Sequence, residues 1–498
     1  MLTIINDFEE DENIENEEQL ITCKLKSKED ITNVKIGKSL TAKQIYELNK
    51  VLKKNKEIFT EIPGEVNKGK HKIHLVSEEP IRSSAYKVPY SIKEKLKLEI
   101  KEMLDLGIIR RSESPYASPI VTVKKKDGNI RVCADYRKLN RITVFDPEPM
   151  TSAEDLFARM GNCRYFSKVD LSKGYWQIPM EEEDISKTAF ITEKGHYEFR
   201  RMPFGLVNSS ATLVRILREV LDGMDCTESY MDDIVIFTQN WDEHLEEIGE
   251  LCDRLARAGF TVKPSKCEFG TKNMEFLGHT IEEGGKVSLQ EDNKKKIEEA
   301  KRPNTKKEVR AFLGLTGYYR EFIPKYAEIA KVLTDLTMKR MPNKIIWNEE
   351  CESAFQELKK ALISNPILRL PQIKEKFILR TDASDIGLGF ALMQEFEDGI
   401  FPIAYGSKKL SPCEMKYSTM EKEGLAIIRG IKKYEKFLYG NEFILETDHR
   451  SLTYLDKAKF ENARVMRWSL CLKKYKFSLR SISGKDNLEA DYLSRWGI

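Results

Sequence analysis

The sequence predicts a chain of several domains. An α+β region covers residues 81–281, a helical segment 282–371 and an α/β domain 372–498, behind an acidic leader and N-terminal extension over 1–80. Three observations carry this reading. Tyr230-Met-Asp-Asp233 stands between the runs Thr227–Ser229 and Ile234–Phe237, which reads as a β-hairpin with two carboxylates at its tip. Asp127-Gly128 joins the runs 119–125 and 129–134, a strong hairpin signal. From Phe377 onward the order is strands, helix, strand, helix and a final acidic helix, the pattern of an α/β domain of about 125 residues.

The elements follow from local pattern. Ile45, Leu48, Leu52 and Ile58-Phe59 recur at helical spacing over 41–60, and Pro63-Gly64 closes that segment. Residues 70–90 alternate and contain prolines, so they are extended. Ile92, Leu96, Ile100, Met103 and Leu104 line one face of a helix over 91–107 that ends at Gly107. A strand over 164–170 ends in Asp170, and helices at about 208–222 and 241–258 flank the Asp232-Asp233 hairpin. From Glu282 to about Pro371 the spacing turns helical, with Lys, Glu and aromatic residues prominent. A strand at Phe377-Ile-Leu379 leads into Thr381-Asp-Ala-Ser384, and Gly387 and Gly389 lie in the next strand. A helix at 418–436, a strand at 442–447 and a helix near 464–474 complete the order. Gly424 and Gly430 fall inside the first of these helices, where each costs roughly 1 kcal/mol against Ala.

Composition narrows the function classes. Charged residues make up 33% of the 498, against roughly 25% in an average globular protein. No apolar run approaches the ~20 residues a bilayer span needs. The N-terminus lacks the basic and apolar regions of a signal peptide. The expectation is a soluble cytoplasmic protein with no membrane partner. Lys+Arg number 83 and Asp+Glu 80, yet eight acids and no base fall in residues 7–18, so the other 486 residues carry 83 bases against 72 acids. Basic runs stand at Lys124–Lys126, Lys294–Lys296, Lys306-Lys307 and Lys473-Lys474, each of which fits either a solvated face or a phosphate contact. The nine cysteines are scattered without a Cys-x-x-Cys, which argues for reduced thiols rather than a disulfide framework or zinc site. His71-x-x-His74 has no cysteine near it and reads as structural.

Two adjacent carboxylates beside apolar strands are costly unless something positive meets them. A pair of Mg²⁺ ions is the natural candidate, because that cation prefers hard carboxylate and phosphate oxygens. Taken alone, the four-residue string fits a solvated hairpin turn as well.

Other short motifs accompany it in order: Ser114-Pro-Tyr-Ala-Ser-Pro-Ile-Val121, Lys124-Lys-Lys-Asp-Gly128, Asp135-Tyr-Arg-Lys-Leu-Asn140, Tyr165-Phe-Ser-Lys-Val-Asp-Leu171, Gly174-Tyr-Trp-Gln177 and Met202-Pro-Phe-Gly-Leu206. Past the hairpin come Phe276-Leu-Gly-His279, Phe312-Leu-Gly-Leu315 with Tyr318-Tyr-Arg320, Thr381-Asp-Ala-Ser384, Tyr417-Ser-Thr419 with Glu421-Lys-Glu423, Thr447-Asp-His449, and Ala490-Asp491 through Ser494-Arg495. Collinear from about Pro80 to Arg495, this series resembles the reverse transcriptase–ribonuclease H portion of gypsy-type long-terminal-repeat retrotransposon Pol polyproteins.

The resemblance implies a right-hand polymerase of fingers, palm and thumb, a helical connection and a ribonuclease H-like domain. It implies an RNA-directed DNA polymerase that also degrades the RNA strand of RNA–DNA hybrids, each site using two Mg²⁺ ions with Mn²⁺ as a substitute. Asp170, Asp232 and Asp233 are then the polymerase metal ligands. The main chain from Leu171 to Tyr175 cradles the triphosphate, Arg131 with Lys124 or Lys125 binds it from the fingers hairpin, and Tyr175 is the gate against a ribose 2′-hydroxyl. Asp382, Glu421, Asp448 and Asp491 are the nuclease ligands. Implied partners are an RNA template, a DNA or RNA primer, the RNA–DNA hybrid and dNTPs. A homodimer, a place within a longer Pol polyprotein and a location in virus-like particles are compatible with it.

Two other readings fit less well. A non-catalytic nucleic-acid binder would have no use for seven acids, and an RNA-templated RNA polymerase would need neither Tyr175 nor a hybrid nuclease. No histidine lies near 481–487, where cellular and many retroviral relatives keep a mobile one; the absence is usual for the resembled group and suggests slower product release. One departure stands out. Asn208-Ser-Ser-Ala-Thr-Leu213 stands where the family pattern has Ala-Pro before Ala-Thr-Phe, and a loosened helix is expected there.

Overall fold

The computed structural model describes residues 27–124, 130–364, 367–447 and 463–481. The acidic stretch 7–18, Lys125, the Asp127-Gly128 turn, Asp448, Asp491 and the expected C-terminal helix lie outside the described residues. Two compact units form. One gathers residues up to Met150 with Ser167–Ile236 and Leu245–Gly270; the other gathers Thr151–Phe166, Phe237–His244 and the chain from Thr271 on.

In the first unit a five-stranded sheet takes the order Lys35–Ile36, Glu268–Thr271, Tyr165–Asp170, Asp233–Thr238, Thr227–Tyr230. Ile234, Val235 and Ile236 are fully buried in succession, so this strand is covered on both faces. The helices Ser209–Val220 and Trp241–Ala258 have apolar faces at helical spacing, with Leu213 and Leu217 on one and Ile248, Leu251 and Leu255 on the other, all fully buried. Truncating any one of these leucines to Ala would cost about 2–5 kcal/mol. A second sheet takes the order Ile109–Arg111, Gly195–Phe199, Phe190–Thr192, Ser118–Lys124, Ile130–Ala134. Its last two strands pair antiparallel with Lys124 opposite Ile130 and Val123 opposite Arg131, so Lys124 and Arg131 stand at the turn end of one hairpin. The helix expected over 91–107 runs Tyr90–Asp105, and Gly107 beyond it is left-handed (φ 65°).

In the second unit the segment after Glu282 does not begin helical. Lys286–Leu289 is a strand in a four-stranded sheet with Asn273–Phe276, His279–Glu282 and Leu368–Arg369. Val287 and Leu289 are buried in strand alternation, a pattern of four residues too short to stand out before the Lys/Glu-rich helix Glu291–Glu298. Helices Lys306–Tyr318 and Glu349–Ile363 follow, with two single turns at Tyr326–Ile329 and Lys331–Asp335. The α/β part is a five-stranded sheet in the order Gly399–Lys409, Gly387–Phe396, Phe377–Ala383, Glu442–Thr447, Lys476–Ser481. The last strand was not expected from the sequence, although Phe477 and Leu479 alternate with polar residues. The helix Thr419–Lys433 packs through Leu425, Ile428 and Ile431 on the sheet face that carries Phe377 and Leu379.

Candidate active sites

Asp170 ends its strand, as expected. The chain leaves through Leu171, whose N–H donates to the Asp232 carbonyl at 3.4 Å, tying the end of one strand to the tip of the hairpin. Tyr230 pairs with Asp233 across that hairpin, so its loop is Met231 and Asp232, with Met231 left-handed (φ 54°). Asp232 is thus a loop residue, and Asp233 is the first residue of its strand.

Lysines supply positive charge to two of these acids, Asp170 and Asp233. Lys266 Nζ lies 2.9 Å from Asp170 Oδ2 and 3.2 Å from Oδ1. Lys168 Nζ lies 3.0 Å from Asp233 Oδ2. Among the described residues no three acidic, His or Cys side chains converge to hold an ion as they stand. The donor set still fits a hard divalent cation. All donors are carboxylate oxygens, and the Lys266 side chain is 58% exposed and held at its far end, so it can leave for water. Gly174 adds room: a Cβ there would lie 3.6 Å from the Asp232 carboxyl group.

The amides after Asp170 are partly engaged. Leu171 N–H is turned to Asp232 as described, and Ser172 N–H donates to Thr261 O at 3.0 Å. A phosphate cradle would therefore be built from Lys173 to Tyr175 rather than from Leu171, whose side chain is also buried. Trp176 and Gln177 are core residues; the Gln177 amide donates to Ser172 O and Thr261 O at 3.0 and 2.9 Å. Tyr175 is half-buried between them and the surface. Its ring meets Phe204 edge-on, centroids 4.9 Å apart, and its hydroxyl lies 2.9 Å from Ser210 Oγ. Burial pushes the Tyr175 phenol pKa up. The Lys124 and Arg131 backbones stand on the hairpin described above, and Lys125 lies outside the described residues.

The helix start expected to be loose is tied on several sides. The Asn208 amide donates to Val144 O at 2.8 Å and its carbonyl accepts from Asp146 N–H at 3.1 Å. Ser209 Oγ donates to Pro203 O at 3.1 Å, and Thr212 Oγ1 lies 2.8 Å from His71 Nδ1. Polar side chains in a first helical turn replace what a proline's fixed φ supplies.

In the second unit Asp382 lies near the end of Phe377–Ala383, opposite Gly389. This strand runs parallel to Glu442–Thr447, with Arg380 opposite Glu446, so the end that carries Asp382 and the end that leads to Asp448 share one edge of the sheet. Asp448 and Asp491 lie outside the described residues. Lys325 Nζ stands 3.7 Å from Asp382 Oδ2.

Glu421 and its neighbour Glu423 are held differently. It is the third residue of the helix Thr419–Lys433 and turns back on the helix N-terminus, accepting from Ser418 N–H at 3.0 Å while the Ser418 hydroxyl accepts from Glu421 N–H at 3.3 Å. Its other oxygen lies 3.7 Å from Arg464 Nη1. Glu423 is the residue that reaches the strand: its Oε1 accepts from the Ala383 N–H, next to Asp382, at 3.2 Å. The signal was present in the sequence, since Ser418-x-x-Glu421 is a capping box and assigns Glu421 to the helix end.

Residues 123–281 match the family model of reverse transcriptase (RNA-dependent DNA polymerase), and residues 347–445 match that of the RNase H-like domain found in reverse transcriptase. Both families depend on divalent metal ions. The retrovirus-related Pol polyprotein from transposon 297 of Drosophila melanogaster is 41% identical over 435 residues, 86% of this chain and 40% of the relative. That from transposon gypsy of the same organism is 38% identical over 446 residues, 86% of this chain and 42% of the relative. The chain spans about two fifths of these relatives. A foamy viral protease–reverse transcriptase in complex with double-stranded DNA shares the fold at a TM-score of 0.83 and 24% identity, covering 89% of this chain and 80% of that one. The foamy viral enzyme solved with an RNA/DNA hybrid gives a TM-score of 0.76 at 24% identity, covering 89% and 61%. With a reverse transcriptase domain and an RNase H-like domain in one chain, this protein belongs to the reverse transcriptase–RNase H region of gypsy-type retrotransposon Pol polyproteins.

Proposed function

We propose that the chain copies RNA into DNA and removes the RNA strand of the resulting hybrid, using Mg²⁺ at both sites, with Mn²⁺ able to replace it. The observation that carries the polymerase half is the Leu171–Asp232 main-chain bond, which brings strand-end Asp170 and loop Asp232 to one edge of one sheet. Asp170 and Asp232 are the principal ligands and Asp233 the lesser one. Divalent ions held by these carboxylates would supply charge that favours ionisation of a primer 3′-hydroxyl and offsets the triphosphate of a dNTP. Tyr175 lies beside the sugar and excludes a 2′-hydroxyl, while Lys124 and Arg131 meet the phosphates as a point charge and a planar fork.

In the nuclease, Asp382, Glu423, Asp448 and Asp491 hold the ions, and Glu421 caps the helix that presents Glu423. Hybrid recognition rests on duplex shape and RNA 2′-hydroxyls rather than on sequence. The partly spanned relatives support origin from a longer Pol polyprotein.

The test is extension of a DNA primer on an RNA template with dNTPs and Mg²⁺, run beside cleavage of a labelled RNA–DNA hybrid. Failure to extend removes the polymerase reading, and extension without any hybrid cleavage removes the nuclease reading.

A further inference from the structure

Tyr175 and Ser210 are 35 positions apart in sequence and lie on different elements. Tyr175 is in the short 3-10 turn Gly174–Gln177, and Ser210 is the second residue of the helix Ser209–Val220. Their hydroxyls are 2.9 Å apart. The contact is selective within its neighbourhood: Ser209 spends its hydroxyl on Pro203 O, and Thr212 on His71. Ser210 directs its own to the tyrosine.

A tyrosine ring moves as a lever about χ1, with χ2 setting its plane. Phe204, edge-on with an interplanar angle of 60°, restrains the plane. Nothing in that contact stops the tip from swinging along the Phe204 surface. A bond at the para position does, because it acts at the far end of the lever. The helix that holds Ser210 is itself anchored by buried Leu213 and Leu217, so the hydroxyl is a fixed post.

We propose that Ser210 is a specificity-determining positioning residue: it pins the ring of Tyr175 and so sets how strictly the polymerase rejects ribonucleotides. The proposal rests on the reading of Tyr175 as the sugar gate. A sugar gate works by leaving no volume for one extra oxygen, and a ring that can yield by a fraction of an ångström leaves that volume. Pinning acts on the ring's position and adds no contact to the incoming nucleotide.

The experiment measures kcat/KM for a dNTP and for its matching rNTP on one primer-template, each ratio taken on a single preparation so that differences in active fraction cancel. Ser210→Ala and Tyr175→Phe each remove one hydroxyl of the same bond and should each lower the dNTP preference by about five-fold, the scale set by one neutral hydrogen bond. The double variant should lower it no further than either single change. Ser210→Thr keeps a hydroxyl and should retain the preference. An unchanged ratio in Ser210→Ala overturns the proposal, and so do multiplicative effects in the double variant. Tyr175→Ala separates the two readings. If it leaves the ratio unchanged, the gate itself is misassigned; if it raises rNTP use while Ser210→Ala does not, the gate stands and only the tether fails.

Discussion

Lys325 places its ammonium 3.7 Å from Asp382 Oδ2, with the lysine side chain 6% exposed and the aspartate 17%. Lys325 is left-handed (φ 52°) just before the turn Tyr326–Ile329, and Glu328 of that turn accepts from the Ser384 hydroxyl at 3.0 Å. The helical segment thus reaches the strand that carries Asp382. Removing one member of a largely buried pair strands the other charge, at a cost of about 3 kcal/mol. Lys325→Met should accordingly unfold at a lower temperature than wild type in EDTA, and Mg²⁺ should recover part of the loss by standing beside Asp382 in place of the ammonium. Calorimetry in the two buffers decides this; equal midpoints in EDTA would refute it.

The two glutamates of one helical turn give a sharp contrast. Glu423→Gln should reduce hybrid cleavage by more than the roughly 10–100-fold typical of losing an outer partner, because its carboxylate sits against the Ala383 amide. Glu421→Gln keeps an oxygen for the Ser418 N–H and should cost only about 0.5 kcal/mol of stability. Cleavage assays on a labelled hybrid, beside thermal melts, read both; the reverse ranking would restore Glu421 to the site.

Asp232→Asn takes a charge from the hairpin loop without altering its backbone. Primer extension should fall by about 10³-fold, while hybrid cleavage by the other unit persists. A variant that extends primers at close to the wild-type rate would show that the hairpin is only a turn.

Acid should destabilise the first unit through His71. Burial pushes its pKa down from 6.5 to about 4, against the opposing pull of Asp184 and Asp146. The unfolded chain therefore takes up a proton near pH 6.5 that the folded chain refuses until about pH 4, so stability rises with pH across that window. Over it this one ring accounts for about 3 kcal/mol. His71→Asn, which cannot titrate, should show a shallower loss of urea stability between pH 6.5 and pH 4 than wild type. Parallel slopes would mean that the ring is protonated in the fold.

Much of this protein was legible locally. The hairpin around Asp232, the helices Tyr90–Asp105 and Trp241–Ala258, and the strand that ends at Asp170 follow from residue spacing and turn chemistry, which act over a few neighbours. The capping box at Ser418 and Glu421 was equally local. Gly430 shows the limit of such rules. Helix propensity counts it as a loss, yet a Cβ there would lie 3.3 Å from Phe390 Cβ and 3.4 Å from Leu379 Cδ1, so glycine lets the helix approach the sheet.

What the sequence alone determined, then, is the longer helices, the strand that ends at Asp170 and the hairpin that carries Asp232, because those outcomes depend on periodicity and on side chains three or four residues apart. The tertiary structure decided which groups meet. Residues 421 and 423 point some 200° apart around a helix, and only packing on the Phe377–Ala383 strand brings Glu423 to the Ala383 N–H. The strand Lys476–Ser481 exists because Glu442–Thr447 offers it a parallel partner. Lys266 finds Asp170, Lys325 finds Asp382 and Ser210 finds Tyr175 across 96, 57 and 35 positions. No local rule joins residues so far apart; the fold does, by closing the chain around buried cores.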